Sequence, residues 1–482
     1  MILSDHSDLA KPQFRVLSDQ QCQEIYLASL ECLDRVGVLV VNDNARSLLS
    51  QAGAKIQGER VFLPPHLVQE AIASTPKSFN LWHRDGRKPL PVAPGRSYFG
   101  PGPSCTYFKD PQTGERRKSR RGDAGMTARV CDALEQIDYV MSLSIFDNVT
   151  PVLSPVYEFS EMVMNTSKPI AAWANDPATC EDIYQIACAV VGSDTELQRH
   201  PFLIYFTTYE SPLQNSDHQT ANIIWAAQHG LPIVYLGGPT VGLESPVTSA
   251  SALVLHLATA LSGVTIIQLE RRGTPVAVGG VLSAMDLHTA RPAYGSPEMS
   301  LNTAAACEVA AFLGIPFMGT AGASESKEVD AQAGAEIAIQ ILLSVLSGAG
   351  LVHDVGFLDC ADIGSLELLV LADELIGMTR RIMRGIEVNH QTIMMELIEK
   401  VGPGKHYLAE RDSARLSRKE IWLPRVFDRN AYAIWQKQGG HSIEDRLKNR
   451  VQSILANHQP QELHASVAKS IELILSAAEK RY

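Results

Sequence analysis

The sequence lacks most of the patterns by which common enzyme classes announce themselves. Its eight cysteines, at 22, 32, 105, 131, 180, 188, 307 and 360, form no C-x-x-C pair and no tight cluster with histidine. That excludes the usual zinc frames and a thioredoxin-type redox pair, and scattered thiols in an acidic chain point to a reducing, cytoplasmic setting. No G-x-G-x-x-G follows a predicted strand and no G-x-x-x-x-G-K-[ST] occurs, so neither a dinucleotide fold nor a P-loop is indicated. Positive charge is scarce: 42 Lys and Arg stand against 53 Asp and Glu, a net charge of -11, which argues against a nucleic-acid footprint. The one basic cluster, Arg116, Arg117, Lys118, Arg120 and Arg121, reads as a solvated loop. Met1 to Phe14 carries charges and no apolar h-region, so no secretory signal is read there. Two long uncharged stretches, His218–Leu243 and Ser245–Leu269, are broken by histidine, glycine, proline and glutamine and read as buried segments rather than membrane spans.

What is present is a strong alternation of short apolar strands and longer helical stretches. Strands are predicted at Ser97–Gly100, Tyr139–Ser144, Pro169–Trp173, Phe202–Phe206, Pro232–Leu236, Pro275–Gly279, Pro316–Gly319 and Leu351–Asp354. A helix-length segment follows each, and eight such units in about 250 residues are what a (β/α)8 barrel requires. A doubly wound sheet is the alternative, but it would lack its phosphate-binding fingerprint. Residues 1–95 read as an N-terminal α+β cap. Ser18 and Gln21 form a capping-box pattern, and Phe79–His83 and Lys88–Val92 flank the hairpin signal Asp85-Gly86. Residues 96–388 form the barrel, and 389–482 a C-terminal helical subdomain that covers the barrel or builds an oligomer contact. Two insertions follow strands one and six, a hairpin over Cys105–Lys118 and a loop over Val281–Glu298. Both fall on the face where barrel enzymes place their chemistry.

Three ordered segments carry a family likeness. Tyr98-Phe-Gly-Pro-Gly102 follows the Arg-Asp-Gly hairpin, Gly322-Ala-Ser-Glu-Ser-Lys-Glu-Val-Asp-Ala-Gln332 follows strand seven, and Asp428-Arg429 with Trp435 and Gly439-Gly440 lies near the end. Together they resemble the trimethylamine methyltransferase superfamily. The resemblance implies a barrel enzyme that passes a methyl group from a methylated amine to the Co(I) of a separate corrinoid protein. Founding members of that family carry pyrrolysine in the second segment, and the corresponding position here is Glu328. The chain therefore resembles the non-pyrrolysine branch, whose substrates are quaternary amines. Glycine betaine is the first expectation, and proline betaine, carnitine and butyrobetaine are alternatives. The chain itself is expected to bind no metal and no cofactor. The D-x-H-x-x-G loop of corrinoid-binding domains is absent, Asp286-Leu-His288 beginning that pattern without its glycine. A homo-oligomer is expected.

The chemistry sets its own demands. Displacing a neutral tertiary amine from a quaternary ammonium needs no proton at nitrogen, so no acid–base pair or catalytic triad is required. The enzyme must hold a cation, exclude water and aim one methyl group. Positive charge on nitrogen fades in the transition state, so a carboxylate touching it would favour the wrong state. Aromatic faces attract quaternary ammonium by about 0.5–2 kcal/mol each. Rings gather at the predicted strand ends although aromatics make up only 6% of the chain: Tyr98, Phe99, Trp173, Tyr205, Phe206, Tyr209, Tyr235 and Phe357. The candidate binding set is Tyr98, Phe99, Trp173, Tyr205, Tyr209, Tyr235 and Phe357, with His353 as donor to a substrate carboxylate. Alternation along a strand turns only about half of such rings inward. No catalytic side chain is assigned. A zinc hydrolase would need ligands on several strand ends, and a Schiff-base aldolase a lysine at one; neither is found. A non-catalytic betaine sensor built on the same cage is the rival from another class.

Overall fold

The computed structural model describes residues 12–482. Its centre is a ring of parallel strands: β1 (Tyr98–Phe99), β2 (Ile170–Ala172), β3 (Leu203–Thr208), β4 (Ile233–Gly237), β5 (Val276–Gly280), β6 (Phe317–Thr320) and β7 (Leu351–His353). From β2 to β7 each pairs in parallel with the next, and β7 returns to β1 through Leu351 opposite Tyr98. The predicted strand at Tyr139–Ser144 is irregular and holds the eighth place. Val140 bridges Ile170 in parallel, and the Asp138 N–H donates to the Phe99 carbonyl at 2.7 Å. The ring is closed, as the (β/α)8 reading requires.

Eight helices wrap the ring in turn: α1 (Asp123–Ala133), α2 (Ser154–Asn165), α3 (Pro177–Val191), α4 (Asp217–Gln228), α5 (Ser249–Glu270), α6 (Pro297–Phe312), α7 (Ala331–Ser347) and α8 (Leu366–Met383). Ser, Thr or Asp side chains cap five of them, for example Asp176 with Thr179 at α3 and Thr248 at α5. Helix α5 is apolar on all sides, and although long enough to cross a membrane it is buried in the barrel wall. The eight cysteines are all free thiols.

The bottom of the ring is plugged by the hairpin Phe79–Trp82 and Pro89–Val92. Phe79, Leu81, Leu90 and Val92 join Met141, Ile204, Val234, Met318 and Leu351 in one interior cluster. Ahead of the hairpin, a helix capped by the Ser18–Gln21 box (Asp19–Glu31) and a small sheet pack beside α5. That sheet is completed by Gln214–Asn215, reaching out of the barrel to pair with Val38–Val40. At the other end of the chain, Ile443–Asn457 packs on α8 and α1, and Ala465–Glu479 on α3 and α2.

The irregular eighth segment has its own support. Lys168 is half-buried, and its Nζ donates to the carbonyls of Cys131, Leu134 and Ile137 at 2.5, 2.6 and 2.6 Å. These are the unpaired carbonyls at the end of α1 and the loop leading into Asp138, where a cation suits the helix dipole. Lys168→Met removes three charge-assisted bonds and leaves three carbonyls dry. Denaturant unfolding should show a loss of about 2–4 kcal/mol.

Candidate functional site

The carboxyl ends of the strands open onto two adjoining cavities that share Pro103, Ser104, Phe206 and Thr208. The larger, about 520 Å3, reaches Tyr209, Glu210, Gly238, Glu244, Tyr294, His353 and Asp354. The smaller, about 230 Å3, is more apolar and is walled by Ile145, Trp173, Ala174 and Phe206. Both sit on the face where barrel chemistry is placed.

The two insertions form the rim. Tyr107–Lys109 and Arg116–Lys118 make the first hairpin, joined to a second small hairpin, Phe357–Leu358 with Ile363–Gly364. Ala284–Asp286 and Arg291–Ala293 make the hairpin within the second insertion. Arg116 pairs with Asp362 at 2.8 Å and Arg291 with Asp359 at 3.0 Å, so the loop after β7 ties both insertions into one wall. Arg116, Lys118, Arg120 and Arg121 of the basic cluster are exposed, as expected of solvated charge, but its residues Arg116–Lys118 form a hairpin strand rather than a free loop. Arg117 is half-buried between Asp110 and Asp123, and Arg116 stacks on Tyr107.

Glycines in the Gly100-Pro101-Gly102 turn are required by close approach. A Cβ on Gly100 would lie 2.5 Å from the Tyr139 ring, and one on Gly102 would meet the Asp354 carboxyl and the Phe357 ring. Asp354 itself sits at φ 72°, a left-handed conformation costly for a residue with a side chain. It accepts a hydrogen bond from His353 Nδ1 at 2.6 Å.

Of the candidate binding residues, the structure brings Trp173, Tyr209 and His353 to the cavities. Trp173 is held by a buried carboxyl on α2: its Nε1 donates to Glu158 Oε2 at 2.8 Å, and Ser154 donates to Oε1 at 2.7 Å. Burial pushes the Glu158 carboxyl up to about 7, against the donors Ser154, Ser142 and Trp173. Tyr209 is anchored at its hydroxyl, 2.5 Å from His256 Nδ1 on α5. Burial lowers the His256 imidazole to about 4, so the ring is neutral at physiological pH and accepts the phenolic proton. His353 faces the cavity, but its Nε2 is 3.0 Å from Thr320 Oγ1 and its Nδ1 is taken by Asp354. With both nitrogens engaged, it has none to offer a substrate carboxylate. That corrects the expectation of a free donor.

The other candidates lie elsewhere. Phe99, Tyr205 and Tyr235 occupy the outward positions of their strands and pack into the helix layer. Tyr235 bonds Asn215 at its hydroxyl, and Arg380 lies over Phe99. Tyr98 points inward in the lower layer above the plugging hairpin. Phe357 is fully buried in the rim, opposite Gly364. Glu328 is not a lining residue: it reaches across the rim to pair with Lys109. Phe206, left out of the candidate set, is the ring between the two cavities, 5.9 Å from the His353 ring centroid. Strand β3 is buried on both faces along most of its length, so its pattern holds no alternation to separate Tyr205 from Phe206. Tyr294, Glu244 and Asp354 come from loops, where no periodicity marks a lining residue.

The lining is acidic and aromatic. Glu210, Glu244 and Asp354 border the larger cavity, and no lysine or arginine borders either. Such a surface concentrates cations.

Trp173→Ala should weaken binding of a quaternary ammonium ligand by about 1–2 kcal/mol in calorimetry. Tyr205→Ala should instead lower the melting temperature and leave affinity unchanged, because it empties the helix layer. Glu158 has a second signature. Its folded-state value lies above the ordinary carboxyl range, so its contribution is complete in acid and is lost as pH rises through about 7. Urea unfolding from pH 5 to 8 should show a decline of about 3 kcal/mol that Glu158→Gln abolishes.

Comparison with known proteins agrees with this fold. The family model described as trimethylamine methyltransferase (MTTB) matches residues 6–477. The trimethylamine methyltransferase of Methanosarcina thermophila is 30% identical over 468 residues, covering 95% of this chain and 96% of its own. The glycine betaine methyltransferase of Desulfitobacterium hafniense is 26% identical over 475 residues, covering 97% and 98%. Among solved structures, the monomethylamine methyltransferase of Methanosarcina barkeri shares the fold, with a TM-score of 0.54 at 12% identity over 97% of this chain and 88% of that one. Matched along nearly its whole length, the chain belongs to the trimethylamine methyltransferase family.

Proposed function

We propose that the chain moves a methyl group from a quaternary amine, glycine betaine first among the candidates, to the Co(I) of a separate corrinoid protein. The observation that supports this reading is the cavity itself. Trp173 and Phe206 present rings to the smaller cavity and Phe206 and Tyr209 to the larger, which carboxyl groups border; no lysine or arginine borders either. Rings hold a methylated cation through its spread charge. They release it as that charge fades, because the attraction is shallow and undirected.

The partner's cobalt supplies the nucleophile. Every other requirement falls on this chain: to bind the cation, exclude water and aim one methyl at the mouth. The C–N bond breaks with its electron pair left on nitrogen, so the departing amine is neutral and needs no proton. That suits a site in which His353 in the lining and Glu158 behind it are spent on neighbouring groups. The corrinoid protein must dock on the rim formed by Cys105–Lys118 and Val281–Glu298, since the cavities open there.

The acidic lining favours a second substrate reading, a quaternary amine without a carboxylate. A betaine carboxylate would find only neutral donors in the larger cavity, among them the hydroxyls of Ser104, Ser283 and Tyr294, beside Glu210, Glu244 and Asp354. A choline-type cation meets no such opposition.

A coupled assay tests the reading. The purified chain should bind its amine yet release no demethylated product alone. Adding a reduced corrinoid protein should start turnover and replace the Co(I) absorption with that of the methylated cobalt. Demethylation without any corrinoid sinks the proposal. Trimethylamine should not turn over at a comparable rate, given a standard glutamate at the position aligned with pyrrolysine. In calorimetry His353→Ala should weaken glycine betaine and choline alike. A loss confined to glycine betaine would restore a carboxylate role to this histidine.

A further inference from the structure

The segment Gly322–Gln332 follows β6 at the mouth yet lends no side chain to either cavity. Its hydrogen bonds show what it does instead. Gln340, on the buried face of α7 at 4% exposure, uses its whole amide. Oε1 accepts the N–H groups of Gly322 and Ala323 at 2.9 and 3.1 Å, and Nε2 donates to the carbonyls of Ala323 and Tyr294 at 2.8 and 2.9 Å. Two acceptor sites and two donor hydrogens are all that a carboxamide has. One turn earlier on α7, Glu336 Oε2 accepts from the Ser324 hydroxyl at 2.6 Å and from the Glu325 N–H at 2.9 Å. Glu325 passes the support on, its Oε1 accepting the N–H groups of Tyr294 and Gly295 at 2.5 and 3.2 Å.

Both backbone groups of Tyr294 are therefore held, the N–H by Glu325 and the carbonyl by Gln340. Tyr294 itself belongs to the loop between the second insertion's hairpin and α6, and it lines the larger cavity. The other rings at the mouth are secured through their own polar atoms, Tyr209 at its hydroxyl and Trp173 at its indole nitrogen. A loop residue has no strand register to aim it, and here a clamp on its backbone takes that part. Burying a glutamine amide is favourable only when its partners are in place, so the clamp sets firmly. With Phe206 and Tyr209, Tyr294 makes three rings on a cavity that Glu210, Glu244 and Asp354 border.

Resting on the reading of this chain as an enzyme of quaternary amines, we propose that Tyr294 is a substrate-binding ring of the larger cavity and Gln340 the positioning residue that holds it there. The segment Gly322–Gln332 then has a task without touching substrate: with α7 it forms the seat of the Tyr294 loop.

Calorimetry on the full chain tests this without any corrinoid protein. Glycine betaine and choline are each compared with the isostere in which carbon replaces the quaternary nitrogen. Tyr294→Leu should weaken the cation by roughly five- to thirtyfold and the isostere by less than about twofold, because leucine keeps an apolar wall but loses the ring face. Tyr294→Phe, which restores the ring, should recover most of that loss. A loss in Tyr294→Phe as large as in Tyr294→Leu overturns the ring assignment. Gln340→Glu keeps acceptors for Gly322 and Ala323 but sets a carboxylate oxygen against the Tyr294 carbonyl. Its added negative charge should by itself favour a cation. A selective loss of the cation, no deeper when combined with Tyr294→Leu, therefore supports a positioning role. Equal losses for cation and isostere make Gln340 merely structural and overturn that role. Should the Gln340 variant fail to fold, a crystal structure of the native chain with choline decides. The Tyr294 ring face within about 6 Å of the nitrogen, its carbonyl still on Gln340, supports the proposal, and a ring turned away overturns it. A native chain that binds no quaternary amine sinks the functional reading as a whole. Binding that Tyr294→Leu leaves unchanged sinks this inference alone.

Discussion

Closing a parallel sheet into a ring divides every strand's side chains into an inner and an outer set, and the mouth of this protein is built on that division. Register between neighbours is continuous from β2 to β7 and back to β1, so the parity of one strand constrains the next. Trp173, Phe206 and His353 reach the cavities because they share the inner parity at the carboxyl ends. Tyr205 and Tyr235, one residue out of phase with the inner set, are committed to the helix layer. The ring closes only across the irregular segment at Asp138–Ser144. Lys168, half-buried against three carbonyls, and Asp138, bonded to Phe99 and Arg380, hold that segment in place. A local polar device thus secures a global constraint.

Each functional side chain at the mouth is fastened from behind. Trp173 is tied to Glu158, Tyr209 to His256, and His353 to both Asp354 and Thr320. These bonds use up the ionisable groups that a proton-transferring enzyme would keep available. What remains facing the cavity is ring surface, hydroxyls and carboxyl groups. A site so arranged is suited to holding a cation still. The rim continues the design, since ion pairs through Asp359 and Asp362 join two insertions that are far apart in the chain.

Much of the scaffold was legible in the residues. The eight predicted strands match the observed ring within a few residues, because apolar runs bounded by proline and glycine are strong local signals. The Ser18–Gln21 box and the Asp85-Gly86 hairpin were equally plain, each depending on residues close in sequence. The irregular segment at Tyr139 was read as a regular strand because its composition is that of one. In sequence Arg117 reads as a solvated charge because its partners, Asp110 and Asp123, are recognisable only once the hairpin folds.

By itself the sequence determined the alternation of strand and helix, hence the barrel, and the presence of rings near the strand ends. Those are local properties, set by period, turn chemistry and capping. Only the tertiary structure decided which rings face the cavities, since a strand buried on both sides carries no mark of its inner face. It also decided that His353 is engaged on both nitrogens and that Glu328 turns to Lys109, because each outcome depends on partners brought in from distant parts of the chain.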